Sequence, residues 1–186
     1  MAEYYEMKIA GLDRKLKKCA VSDKLDIAAF IMFGDVEVTV ESAKQLLAKA
    51  PDFDVIITAE SKGIPLICEM ARLNGNARYA LARKSAKLYM KDVLTVEVRS
   101  ITTDHKQTLC LDGGDAAYLK GKRVVIVDDV ISTGESLRAL ETLVERAGGN
   151  IVGRMAILAE GDATRRDDII YLEKLPLFDN NGHPID

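Results

Sequence analysis

Long apolar runs are missing: no stretch of the 186 residues approaches the ~20 needed to cross a bilayer. The N-terminal stretch "MAEYYEMKIAGLDRKLKKCA" is charged throughout and lacks the apolar core of a secretory leader. Cysteine is scarce. Cys19, Cys68 and Cys110 are odd in number, far apart and without C-x-x-C or Cys/His spacing. They therefore suggest neither a disulfide framework nor a metal cluster, and read as reduced thiols in a cytosolic protein. A dominant charge of one sign is also absent. A net charge of −3 argues against a duplex nucleic-acid binder, although a local basic site remains compatible with it. No internal repeat, low-complexity segment or linker is evident. These absences leave the expectation of a single cytoplasmic domain over residues 1–186, with no membrane and no nucleic-acid partner.

What is present is an alternation of apolar strands and amphipathic helices. Residues 1–35 carry mixed helical patterning. "VESAKQLLAKA" places Ala43, Leu46, Leu47 and Ala50 on one helical face before Pro51 stops it. "DVIITAE" reads as a buried strand. In the helix after it, Pro65 suits the first turn and Gly75 the stop. "ARYALAR", "LTVEVRSI" and "QTLCL" are further strand candidates, with the polar "TTDHK" as an excursion between the last two. "KRVVIVDD" is the clearest strand. "ESLRALETLVERAGG" is the clearest helix, with Leu137, Leu140, Val144 and Ala147 on one face. "IVGRMAILAE" is another strand. The tail is mixed, with a turn at Asn180-Asn181-Gly182. The alternation predicts an α/β fold with a mainly parallel twisted sheet flanked by helices. Ligands of such sheets bind beyond the C-terminal strand ends, so Glu60–Gly63, Arg83-Lys84 and Asp128-Asp129 with the loop after them draw attention.

The loop Ser132–Ser136 joins a strand to a helix N-terminus, where unpaired N–H groups and a partial positive charge suit a phosphate. Ser132, Thr133 and Ser136 add hydroxyls, and Gly134 permits a tight turn. The Walker spacing is absent. A well-capped helix start would look similar, but the preceding acids add information. Asp128 and Asp129 repel one another, so their adjacency needs a reason. A sugar diol is one, since each carboxylate accepts hydroxyl hydrogen bonds; Mg²⁺ is another. A diol beside a terminal phosphate describes a ribose 5-phosphate.

"VVIVDDVISTGES" resembles the phosphoribosyl-diphosphate (PRPP) binding motif of type I phosphoribosyltransferases, with Glu135 where many purine members have a second glycine. "DVIITAESKGIPL" resembles the pyrophosphate loop of adenine phosphoribosyltransferases and their archaeal hypoxanthine-using relatives. It matches at Glu60, Ser61, Lys62 and Gly63, with Lys62 where many adenine enzymes have Arg. "YALARKSAKLY" resembles the Arg-Lys element of the same family. The resemblance runs from about Phe33 to Glu160.

It implies the type I phosphoribosyltransferase fold, with a core over about 33–160 and a small hood from about 1–33 and 161–186. It implies PRPP and a purine base as substrates, Mg²⁺ as cofactor and a homodimer. Asp128 and Asp129 would hold the ribose hydroxyls, directly or through Mg²⁺, and Ser132–Ser136 the 5-phosphate. Ser61, Lys62 and Gly63 would meet the diphosphate. So would Arg83, Lys84 and Lys87, some of them in a partner's site. Arg83 counts with the acids as catalytic. Phe33, Leu81 and Leu158, with Phe30, are the expected base-pocket walls. "LTVEVRSITTDHKQTLCL" stands where the family has its flexible catalytic loop. The Glu-Tyr-Gly element of many adenine enzymes is not found there, which leaves Glu97, Asp104 and His105 as candidates. Adenine is the first choice of base, with hypoxanthine or xanthine as the alternative. A PRPP-binding regulator without turnover is the reading from another class, but it would ordinarily carry a DNA-binding module of its own.

Overall fold

The computed structural model describes residues 3–99 and 106–185. In chain order the elements are β1 (Tyr4–Ile9), β2 (Leu12–Ser22), β3 (Leu25–Ala29), α1 (Val36–Lys49), β4 (Val55–Ala59), α2 (Ile64–Leu73), β5 (Ala80–Ala82) and β6 (Leu94–Arg99). There follow β7 (Lys106–Leu111), α3 (Gly113–Leu119), β8 (Arg123–Ile131), α4 (Glu135–Arg146) and β9 (Asn150–Glu160). A 3₁₀ turn (Gly161–Arg165) leads to β10 (Ile170–Leu175), β11 (Leu177–Phe178) and β12 (Pro184–Ile185).

The central sheet has the order β10-β9-β8-β4-β5, and every neighbouring pair is parallel. Helices cover both faces, so β4 is buried along its whole length, as its unbroken apolar run requires. Its alternate residues divide between two cores. Val55, Ile57 and Ala59 pack with α4 and α3, whereas Ile56 packs with α1 and α2. Val124 and Ile126 of β8 follow the first group, and Val125 and Val127 the second. The predicted apolar face of α4 is buried at Leu137, Leu140, Val144 and Ala147. Helix α1 begins earlier than its apolar pattern, because Asp35 caps it by accepting from the Val38 N–H and is itself held by Arg14 at 2.7 Å.

Two expectations are corrected. Residues 4–29 form three antiparallel strands, not helix. The residues of β1 alternate in exposure with a period of two, and cross-strand pairs such as Lys15–Glu6 at 2.7 Å stabilise the polar face. At the tight turn between β1 and β2, Ala10 (φ 51°) and Gly11 (φ 85°) both adopt positive φ, which matches the twist of a two-residue hairpin. Strands β6 and β7 likewise lie outside the parallel sheet and pair antiparallel with each other. The short connection between them cannot make a parallel crossover. Helix α3, which the periodicity did not suggest, is capped by Asp112, whose carboxylate accepts from the Gly114 N–H.

The terminal segments meet in a second, antiparallel sheet of order β1-β2-β3-β11-β12. Phe178 anchors it to the core. It is fully buried, its ring lies 5.0 Å from that of Tyr5 at 65°, and Lys18 Nζ sits 4.3 Å from its centroid. In the main sheet the chain leaves β4 for β5 on one side and returns to β8 on the other. The crevice for a ligand therefore falls at the C-terminal ends of β4 and β8. Truncating the anchor, Phe178→Ala, should cost about 3–5 kcal/mol of unfolding free energy, as for other buried aromatic residues, measured by denaturant titration.

Candidate active site

A cleft of about 330 Å³ opens where the strand order predicts it. Hood residues 27–31 form one side. Lys62, Asp128 and the loop from Ser132 to Leu137 form another, and Glu160 and Leu175 complete it.

Asp128 and Asp129 end the buried part of β8. Asp128 faces the cleft, whereas Asp129 is only 4% exposed. The Asp128 carboxylate accepts from Ser61 Oγ at 3.0 Å and from the Asp129 N–H at 2.9 Å. These bonds do not offset its surroundings. Burial first, and then the neighbouring Asp129 charge, push Asp128 up to about 7. Lys62 Nζ lies 2.8 Å from Asp129 Oδ2, although that oxygen accepts no well-aligned hydrogen bond. The same ammonium donates to the Phe30 carbonyl at 2.8 Å, which ties the acid pair to the hood. Gly63 lets the chain pass close to this group. A Cβ there would stand 2.9 Å from Thr58 Oγ1 and 3.0 Å from Asp128 Oδ1.

Gly134 is the N-cap of α4, with φ 77° and no side-chain capping bond. The Glu135 N–H reaches Thr133 Oγ1 at 3.5 Å, and the Ser136 and Leu137 N–H groups of the first turn start at the cleft lining. A Cβ on Gly134 would come within 3.1 Å of Arg166, whose guanidinium is held by Asp168 at 2.7 Å.

At the next strand end, Glu60 organises the basic stretch. Its carboxylate accepts from the Lys84 N–H at 3.0 Å and pairs with Arg83 at 3.1 Å. The Lys84 N–H first, and then the Arg83 and Lys87 charges, hold Glu60 below the usual carboxylate range. Arg83 Nε is buried without a hydrogen-bond acceptor. Lys84 is exposed, and Lys87 donates to Ser85 Oγ at 2.9 Å.

The structure thus brings Ser61, Lys62, Gly63, Asp128, Asp129 and Ser132–Ser136 together. Arg83, Lys84 and Lys87 stand at the adjacent strand end, outside the cleft lining. The expected base-pocket side chains do not line the cleft. Leu158 is fully buried in the core, Phe33 is 57% exposed in the turn before α1, and Leu81 is half-buried on β5. The apolar walls are instead Ile27, Ile31, Val130 and Leu175, with Phe30 entering from the hood segment. Glu97 is exposed on β6, and Asp104 and His105 lie outside the described residues.

Sequence reasoning missed Glu160 and Arg166. Glu160 carries the same signal as Asp128, an acid closing an apolar strand. Arg166 has no local signal. No group of three or more His, Cys, Asp or Glu side chains among the described residues could hold a metal by itself. The two carboxylates fit Mg²⁺, which takes few protein oxygens and completes its shell with water and phosphate.

A family profile described as the phosphoribosyl transferase domain matches residues 40–185. An adenine phosphoribosyltransferase of Petrotoga mobilis is 38% identical over 66% of this chain and 66% of its own, just under two thirds of its length. A hypoxanthine/guanine phosphoribosyltransferase of Methanotorris igneus is 31% identical over 83% of this chain and 85% of its own. The crystal structure of an adenine phosphoribosyltransferase from Thermoanaerobacter pseudethanolicus superposes with a TM-score of 0.66 at 23% identity, covering 92% of this chain and 95% of that one. That likeness shows the fold.

The raised Asp128 has a consequence for the ligand-free protein. Between the unfolded carboxyl value and about 7, the folded chain retains a proton that the unfolded chain releases, so this group's stabilising contribution is lost as pH rises through that window. Without divalent cations, Asp128→Asn should melt close to wild type at about pH 4 and several degrees above it at about pH 8, measured by calorimetry.

Proposed function

Since the chain belongs to the phosphoribosyl transferase domain family, matched over residues 40–185, we propose that it is a purine phosphoribosyltransferase. It joins a free purine to PRPP and releases diphosphate and a purine nucleoside 5′-monophosphate. The observation that carries this reading is the acid pair, with Asp129 buried and Asp128 facing the cleft, set five residues before the Gly134 N-cap of α4 at the switch point of the sheet. Few ligands other than a ribose phosphate need both features at that spacing.

In this reading Asp128 and Asp129 accept hydrogen bonds from the ribose hydroxyls. The N–H groups of Ser132–Ser136 and the hydroxyls of Thr133 and Ser136 hold the 5-phosphate. Ser61, Lys62 and Gly63 meet the diphosphate from the β4 side, and Arg83, Lys84 and Lys87 from the β5 side. The buried Arg83 Nε without an acceptor suits an arriving phosphate oxygen. Asp128 and Asp129 would hold Mg²⁺, directly or through the substrate, and the ion would supply charge neutralisation for the leaving diphosphate. The protein then orients the base toward C1 and excludes water from an oxocarbenium-like transition state.

Adenine is the base we assign, by similarity to the Petrotoga and Thermoanaerobacter enzymes. The Methanotorris relative, aligned over 83% of this chain, supports hypoxanthine as a second reading. A homodimer accompanies the proposal. Leu88 and Tyr89, exposed directly after Lys87, offer apolar surface for a partner copy.

The test is diphosphate release from PRPP and Mg²⁺ with adenine, hypoxanthine, guanine and xanthine in parallel. Release is expected with adenine, and the double variant Asp128→Asn/Asp129→Asn should lower kcat/KM by about 10³-fold or more, the scale on which removing preorganised electrostatic contacts acts. Release with none of the bases overturns the proposal.

A further inference from the structure

The acid that closes β9 has no part in the reading above. Glu160 lines the cleft beside the apolar side chains Ile27, Ile31, Val130 and Leu175. Ser132 lines the same cleft, and its hydroxyl favours the ionised form of the Glu160 carboxylate. Leu175 stands opposite it in the sheet, and hood residues 27–31 bring no titratable side chain to it. Lys62, from the loop after β4, contributes positive charge, and Asp128 and Glu135 line the same cleft. Burial raises Glu160 above the ordinary carboxylate range, while Ser132 and then Lys62 draw it down. A carboxylate at that position is a proton acceptor facing the cleft.

The position of Glu160 follows from what the other groups hold. With the ribose at Asp128 and Asp129 and the 5-phosphate at Ser132–Ser136, a base bonded to C1 has the hood segment, Val130, Leu175 and Glu160 left as walls. A free purine carries one imidazole N–H, on whichever ring nitrogen does not attack. As the attacking nitrogen bonds to C1, the C1–O bond to diphosphate breaks and its electron pair leaves with diphosphate. The imidazole ring becomes positive until that N–H proton departs. In an otherwise apolar pocket an unpaired N–H and a developing cation are both costly, and a carboxylate relieves both.

We propose that Glu160 is a catalytic residue that accepts the imidazole proton of the purine, with Ser132 as the positioning residue that orients its carboxylate. Glu160 takes the proton as the C1–N bond forms and returns it to solvent when the nucleotide leaves. Every purine has this N–H, so the role holds for adenine and hypoxanthine alike.

The inference rests on the phosphoribosyltransferase reading, and the wild-type protein separates the two. If wild type releases no diphosphate with any purine, that reading fails first. Where it does turn over, Glu160→Gln should lose about 10²-fold or more in kcat. It should also lose the acidic limb of the kcat/KM profile for the base, while its Kd for PRPP with Mg²⁺, by titration calorimetry, stays at the wild-type value. Glu160→Asp should restore the limb and part of the rate. Ser132→Ala should move the limb to higher pH, because it removes a hydroxyl that favours the ionised carboxylate. A Glu160→Gln variant that keeps wild-type kcat or its acidic limb overturns the proposal. So does a loss of PRPP affinity that accounts for the whole defect. Should Glu160→Gln not fold, Ser132→Ala decides alone, and an unmoved limb overturns the proposal.

Discussion

Two carboxylates set side by side at the end of a buried strand repel each other and resist losing water, and the site is arranged around that constraint. Ser61 and the Asp129 N–H place donors on Asp128, and Lys62 places a charge on Asp129. Even so, Asp128 remains well above the usual carboxylate range. The donors lie within reach only because β4 and β8 run parallel as neighbours, with Val55 opposite Val124 and Ile57 opposite Ile126. The loop after β4 approaches so closely that Gly63 has no room for a Cβ. Register, glycine and acid pair are therefore one arrangement, in which strain at the site is sustained by the packing beneath it.

Lys62 extends the arrangement outward. A single ammonium touches the acid pair on β8 and the Phe30 carbonyl at the end of hood strand β3. The hood is in turn fixed from below by Phe178, whose burial joins the terminal sheet to the α1–α2 side of the core. The cleft therefore has one rigid wall, formed by strand ends and the α4 N-terminus. Its other wall comes from the terminal sheet and is braced by Phe178 and by the Lys62 hydrogen bond to the Phe30 carbonyl.

The sequence is most legible where one local pattern has one structural outcome. The unbroken apolar runs of β4 and β8 can only be buried strands, and the acid pair and Ser132–Ser136, close in sequence, meet at one cleft. Legibility fails where the outcome depends on partners distant in sequence. The stretch "LDRKLKKCAVS" mixes long cationic and apolar residues with too little contrast to fix a period, and becomes β2 because β1 and β3 flank it. Leu158 belongs to a strand whose end reaches the site, but its own side chain packs in the core. Glu160, only two residues later, reaches the cleft. Arg166 approaches Gly134 only because the chain returns after β9.

The matched region takes in most of the cleft but leaves out the wall formed by residues 27–31. It begins at residue 40, after the hood strands β1–β3, and includes the loops after β4, β5 and β8. Ribose, phosphate and diphosphate present the same hydroxyls and charges whatever base is used, so the groups that hold them have little freedom to change. Of the remaining cleft walls, residues 27–31 lie outside that region, and Val130, Leu175 and Glu160 lie within it. These walls are largely apolar, and apolar surface discriminates weakly between flat rings of nearly equal size, at about 1–3 kcal/mol for a missing methylene. In the proposed reaction, discrimination among purines would therefore fall to the few polar groups at that wall, the backbone of residues 27–31 and the Glu160 carboxylate, where an unpaired donor or acceptor costs far more than a poorly filled gap.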